Sequence, residues 1–215
     1  MRKEEVIERI EGAFGANSYP GDGFLQGSFQ GCEPAEEAGA FMGKSEWRAL
    51  DSKMLDQHYN ALSFFSEAGF RFFLPAYLIA DVREELLTAD PLFHLCHGFA
   101  SASVEIPVGF QTFSRGAGGT KLLNPRLYGA MTWSDYARHR LSIFTREESQ
   151  AIVAYMAYKR GRETANLDKA RIDAALEQFW NDRAQNAPSR EALEAHLKEE
   201  ERFVAELRAR RGDEK

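Results

Sequence analysis

Residues 61–82 read ALSFFSEAGFRFFLPAYLIADV, the longest apolar run in the chain. Ser66 is placed to cap a helix, because its hydroxyl accepts from first-turn amides. Behind it Phe70, Phe73, Leu74, Tyr77 and Leu78 recur at helical spacing on one face. Phe72, Ala76 and Ile79 cover much of the other side. A helix that is apolar nearly all round is a buried one. The run therefore predicts a central helix over about 67–87, with the other helices closed over it. Pro75 lies inside it, removes the bond to the carbonyl of Arg71 and predicts a kink.

Upstream, Val6, Ile10, Ala13 and Phe14 give residues 2–14 one apolar helical face, ended at Gly15. Residues 15–32 are rich in Gly, and Tyr19-Pro-Gly-Asp22 suits a type II turn. A short acidic helix is expected from Pro34, and a further one from Asp51 to Asn60. Downstream, Asp90-Pro91 opens another short helix. Val104, Ile106 and Val108 alternate with Glu105 and Pro107, as in an edge strand, so a small β element is expected over 103–114. Arg115 to Thr120 reads as a flexible loop and Leu122 to Ala130 as irregular chain. Thr132-Trp-Ser-Asp135 and Thr145-Arg-Glu-Glu148 fit capping boxes, the second opening a helix to Arg160 closed by Gly161.

After Gly161 the composition shifts to two amphipathic, highly charged helices, 165–185 and 189–211, turned at Pro188-Ser189. The second carries a stripe of Leu193, Leu197, Val204 and Leu207, broken by Glu200. The expected architecture is mainly α: a compact helical domain at 1–160 around the buried Pro-bearing helix, and a C-terminal helical hairpin at 161–215. The hairpin is expected to pack on the body or on a second subunit.

At 215 residues the chain is long enough to bury roughly 70% of its unfolded surface. Its charge is uneven. Residues 1–90 hold 8 basic and 16 acidic groups, a net of −8, whereas residues 91–158 net +2 and residues 159–215 net zero. The acidic first part argues against nonspecific binding to nucleic acid, which depends on neutralising phosphates, and against an anionic membrane surface. Two cysteines, Cys32 and Cys96, make no disulfide framework and read as free thiols in a reducing compartment. No signal-peptide h-region is present, so a cytoplasmic location is expected.

With these segments placed, the chain resembles an uncharacterised bacterial family, a domain of unknown function. The resemblance rests on the Tyr19 to Asp22 turn, on Trp47, on Leu62-Ser63-Phe64 with Phe70-Arg71-Phe72-Phe73-Leu74-Pro75-Ala76-Tyr77, and on Phe144 to Glu148 with Ala-Ile-Val-Ala at 151–154. It covers about residues 5–160. It implies a shared fold and brings no activity. Gly23 stands where a second acidic residue usually follows the turn, which speaks against a paired carboxylate there.

No motif fixes a chemistry. His94, Cys96 and His97 share a short helix, yet no second ligand pair has zinc spacing, so no metal and no cofactor are expected. Cys96 and His97 point about 100° apart on a helix and do not pair as nucleophile and base; His58 or His139 would be a distant alternative. Arg115-Gly-Ala-Gly-Gly-Thr-Lys121 lacks the phosphate-loop spacing. The polar residues set among aromatic segments are Asp22, Trp47, Asp56, Tyr59, Arg71, Tyr77 and Asp81. A guanidinium on a buried helix needs a carboxylate, and Asp22 or Asp56 is expected to supply it to Arg71. Arg126, Tyr128 and Trp133, in a loop, are the residue types that anchor protein interfaces. The leading expectation is a noncatalytic protein-interaction module of immunity or adaptor type, with homodimerisation through the hairpin as a further expectation. The alternative is an enzyme with a small-molecule pocket near Arg71, Asp56 and Tyr77.

Overall fold

A computed structural model of the chain describes residues 1–29, 31–99, 103–108, 111–116, 121–124 and 129–213, with backbone alone over the described part of 103–135, at Arg190 and over 211–213. The helices are α1 (Lys3–Phe14), α2 (Glu33–Gly39), α3 (Ser52–Gln57), α4 (Ala61–Phe64), α5 (Glu67–Val82) and α6 (Pro91–Cys96). Two antiparallel hairpins follow, β1 (Ser103–Val108) with β2 (Gln111–Gly116) and β3 (Lys121–Asn124) with β4 (Gly129–Thr132). Then come α7 (Trp133–Arg140) and α8 (Arg146–Arg162). Next, α9 (Asn166–Ala175) runs through a π-helical segment, Leu176–Trp180, into α10 (Asn181–Asn186). The last helix is α11 (Arg190–Asp213). The fold is mainly α.

The centre is α5. Phe72, Phe73 and Ile79, which lie on different sides of it, are 2%, 0% and 6% exposed. The helix is therefore enclosed all round, as its composition requires. Each fully buried Phe contributes about 1.5–3 kcal/mol through burial. Its aromatic neighbours come from far along the chain: Phe73 packs on Phe41 and Phe65, and Phe70 meets Phe144 edge to face. The Gly-rich segment is strapped to the start of α5. Ser66 N–H donates to the Leu25 carbonyl at 2.7 Å and Gly27 N–H to the Phe64 carbonyl at 2.8 Å. A Cβ on Gly27 would lie 2.6 Å from the Phe65 oxygen, so only glycine allows this approach.

Several local expectations are corrected. The central helix stops at Val82 rather than 87, because Glu84 turns the chain with φ 63°. Gly21 has the positive φ of a type II turn, but its ψ of 149° is extended, so the turn is not of that type. Gly161 does not close α8, which runs on to Arg162. The β element at 103–108 is present, paired with 111–116 so that Ile106 faces Phe113. Arg115 and Gly116 thus belong to a strand and not a loop. The segment expected to be irregular holds β3 and the start of β4, with Leu122 opposite Met131 and Asn124, of the expected Asn124-Pro125 turn, paired with Gly129.

The C-terminal helices pack on the body. Ile172, Ala175, Trp180 and Leu193 join the same apolar cluster as α5. Trp180 is fully buried and its indole N–H donates to the Leu95 carbonyl at 2.9 Å. Arg183 donates to the carbonyls of Ser142 and Phe144; burial pulls its pKa down to about 10.

The Thr145 capping box forms as expected, and its acidic member has a second role. Glu148 accepts from Thr145 N–H at 2.8 Å and pairs with Arg71 Nε at 2.9 Å, while only 1% of its side chain is exposed. It thereby fixes the start of α8 against the middle of α5. Glu148→Gln keeps the capping acceptor and removes the charge, whereas Glu148→Ala removes both. Urea unfolding is expected to show a loss of about 3 kcal/mol for Gln and about 1 kcal/mol more for Ala, with an unchanged m value. A Gln variant as stable as the parent chain would mean that the pair contributes nothing.

Candidate functional site

The residues singled out in the sequence occupy separate places, each with a partner of its own. Asp22 accepts from the Tyr19 hydroxyl and from Gly43 N–H at 2.8 Å, which ties the Tyr19 turn to the turn that follows α2. Burial and then Asp22 push the Tyr19 phenol up to about 12, and the same hydroxyl lowers the pKa of Asp22. Trp47 is buried beneath the Arg48 guanidinium, 4.4 Å from its ring centroid. Asp56 gathers the backbone N–H groups of Leu87, Thr88 and Ala89 on one oxygen, at 3.0, 2.7 and 2.9 Å. Tyr59 is exposed. Tyr77 is fully buried and donates to the His58 carbonyl at 2.9 Å; burial, then the charges of Glu37 and Asp56, raise its pKa well above normal. Asp81 accepts from the Tyr155 hydroxyl at 2.5 Å and from Lys159 at 2.9 Å. Arg71 finds its carboxylate in Glu148, not in Asp22 or Asp56. The reason is position: both aspartates are engaged by backbone amides of loops, while Glu148 projects from a helix start beside α5. Trp133 begins α7 with only its backbone described, and Arg126 and Tyr128 lie outside the described residues.

The thiol and histidines of α6 do not form a centre. Cys96 is buried and Cys32 exposed. Burial pushes the Cys96 thiol up to about 12, the opposite of an activated nucleophile. Burial, then Arg140 and His97, bring His94 down to about 3, so it is a neutral packed ring.

A different constellation converges at the first turn of α5. An α-helix starts with amides that no turn of its own can satisfy. Here Ser66 Oγ accepts from Gly69 N–H at 2.9 Å, so the predicted cap forms. The two preceding amides are taken by a residue 133 positions away: Glu200, on α11, accepts from Glu67 N–H and, at 2.9 Å, from Ala68 N–H. Glu200 is 3% exposed, and its charge faces the positive end of the helix.

With those amides filled, the Glu67 side chain is turned toward the neighbouring helices. It is 4% exposed and meets two imidazoles. His196 Nε2, one turn before Glu200 on α11, contacts Oε2, and His139 Nε2, at the end of α7, lies 3.7 Å from Oε1. The two rings are 4.7 Å apart, and each histidine side chain keeps 17% of its surface open. Two arrangements of protons suit this geometry. The imidazoles donate to the carboxylate, or their Nε2 lone pairs and a carboxylate oxygen face a common cation. Among the described residues this trio has its ligand atoms within 4.8 Å of one another.

No chain spacing marks this set, because each of its three members lies on a different helix. The legible signal was in α11, where His196 and Glu200 are four apart and share a face. Glu200 breaks an otherwise apolar stripe, and a charged residue on a core face signals a buried partner.

The fold is thus that of a mainly α protein with a buried carboxylate–imidazole cluster. Residues 2–104 match DUF6714, a family of unknown function. No curated protein and no solved structure matches the chain. Glu67, Arg71 and Tyr77 fall inside the matched stretch. His139, Glu148 and His196 fall beyond it, as does the Phe144 to Glu148 segment expected to belong to the family pattern.

Two outcomes test this description. Glu200→Ala leaves two buried amides of α5 without an acceptor and is expected to cost about 2 kcal/mol in urea unfolding; a change below a few tenths would deny it the capping role. Asp56 is shifted the opposite way from what desolvation alone, the largest influence, would give: three backbone N–H groups outweigh it and hold the carboxyl below its usual value. A carboxyl depressed in the folded state stabilises fully above its unfolded pKa of about 3.9. That contribution is lost as pH falls through the folded value. The difference in urea midpoint between the parent chain and Asp56→Ala should be constant above pH ~5 and close below pH ~4. A gap independent of pH would assign Asp56 no ionised role.

Proposed function

We propose that the chain is a noncatalytic, cytoplasmic module that binds another protein at the corner between α5 and α6. One observation carries this reading. Leu87 is 93% exposed, yet the backbone on which it stands is fastened by Asp56. A large apolar side chain held out on an anchored segment loses little freedom when it enters a partner's pocket. Phe93, 49% exposed on α6, and Tyr59, 44% exposed just beyond α3, are further apolar surface on the elements around that loop. The surrounding chain is acidic, with Glu84, Glu85 and Asp90 near Leu87 and a net −8 over residues 1–90. The partner this suits is a protein with an apolar socket rimmed by Lys and Arg.

The enzyme reading rested on Arg71, Asp56 and Tyr77. Each is bonded to a structural partner, and these bonds favour the noncatalytic reading. Homodimerisation through the C-terminal helices has less in its favour, since Leu193 and Val204 of the apolar stripe are buried within the chain. Among the described residues no helix is long and apolar enough to cross a membrane.

Immobilised full-length chain should retain a basic-rimmed partner from a lysate of its own cells. Leu87→Asp should reduce that capture at least tenfold with a melting temperature unchanged within about 2 °C, as expected for a surface substitution. Capture that survives Leu87→Asp, or that is lost only on unfolding, would place the binding surface elsewhere.

A further inference from the structure

We propose that Glu67, His139 and His196 form a binding site for one divalent transition ion of the zinc class. The argument starts from donors. Two imidazole nitrogens and one carboxylate oxygen are the ligand set of open three-residue zinc sites, and this mixture favours zinc and its neighbours over magnesium or calcium. The geometry follows. Both histidines present Nε2 to the same carboxylate, and the ligand atoms lie within 4.8 Å of one another. Ligands of a tetrahedral ion with bonds of about 2.0–2.1 Å are separated by roughly 3.3–3.5 Å. His139 to Glu67, at 3.7 Å, is already near that spacing. His196 sits closer and needs to retreat by a small side-chain rotation as the ion replaces its hydrogen bond.

The support is rigid and the charge is matched. Glu67 belongs to the first turn of the most buried helix, and His139 and His196 belong to α7 and α11. Two carboxylates, Glu67 and Glu200, are buried at this one helix start; the first amides of α5 engage Glu200, and a dication would face the charge of Glu67. The open fraction of both histidines leaves a route for the ion and for a solvent ligand in the fourth position. The consequence is mechanical: the ion ties α7 and α11 to the α5 start, inside the stretch matched to the family.

The test uses the full chain, dialysed against a chelator and titrated with zinc against a chromophoric competitor. One ion per chain is expected, with a Kd below about 1 μM, and a rise in melting temperature that saturates at one equivalent. Cobalt should give the intense visible bands of a tetrahedral site without thiolate charge transfer, which excludes Cys32 and Cys96. His139→Gln and His196→Gln should each weaken binding at least tenfold, while His94→Gln leaves it unchanged. Far-UV circular dichroism of the ion-free variants checks folding. Should His196→Gln fail to fold, the more peripheral contact His139→Gln decides. Weak octahedral cobalt bands, thiolate bands, or an affinity indifferent to both histidine variants would overturn the site.

Discussion

A helix with almost no solvent-facing side must have its polar demands met by the protein, and three of those made by α5 are met from far along the chain. Its first-turn amides are met by Ser66 and Glu200, its guanidinium at Arg71 by Glu148, and its late carboxylate at Asp81 by Tyr155 and Lys159. All of these apart from Ser66 come from residues 148–200. The apolar helix that the N-terminal stretch supplies therefore depends on the C-terminal half for its electrostatics. Burying any of these groups without its partner would cost several times the net worth of an ordinary hydrogen bond. The dependence also explains why the C-terminal helices lie on the body. Trp180 and Arg183 reach into it with donors whose acceptors are backbone carbonyls at Leu95 and Phe144.

Such bonds say more about uniqueness than about stability. An apolar pair in place of Arg71 and Glu148 could be as stable, since desolvating two charges offsets much of their attraction. What an apolar pair would not do is choose one rotation of α5 against α8. A helix that is greasy all round offers many rotations of similar packing energy. We read the polar contacts of α5 as the devices that select one of them. Glu148 suits this role, because the capping box already fixes its position relative to its own helix.

The hydrophobic run, the Ser66 and Thr145 caps and the Asp90-Pro91 helix start were all legible from residues, because each is a local signal with a local cause. Asp90 accepts from Phe93 N–H at 2.9 Å, as its sequence position requires. Residues 115–116, expected as loop, and the strand residues within 122–130, expected as irregular chain, were misread because the strands are only four to six residues long and the sequence around them is rich in Gly and Asn-Pro, so that turn signals outweigh alternation. Polar partners were the least legible. Asp22 and Asp56 were singled out as partners for a buried arginine, yet each is engaged by loop amides elsewhere in the chain. Glu148 was recognised for its cap, and that local role concealed the long-range one. The pairing of Glu200 with the α5 start spans 133 residues and leaves a single trace, a charge on an apolar stripe.

That trace leads to the least ordinary feature of the chain, two buried carboxylates at one helix start. Glu200 alone would satisfy the dipole of α5, and its two oxygens each have an amide. The Glu67 side chain is turned toward α7 and α11, where His139 and His196 meet its two oxygens. Two imidazoles meeting one carboxylate, each through Nε2, leave the cluster's net charge to be set by what sits between them, protons or a cation. The features that make the bridge rigid are three helix-borne groups, a shared focus and a narrow opening to solvent. These are also the features that lower the cost of binding an ion, because the ligands need no ordering when it arrives. His139 and His196 each meet one oxygen of Glu67, and their rings approach to 4.7 Å, so the three ligand atoms fall within 4.8 Å of one another, close enough to share a single ion.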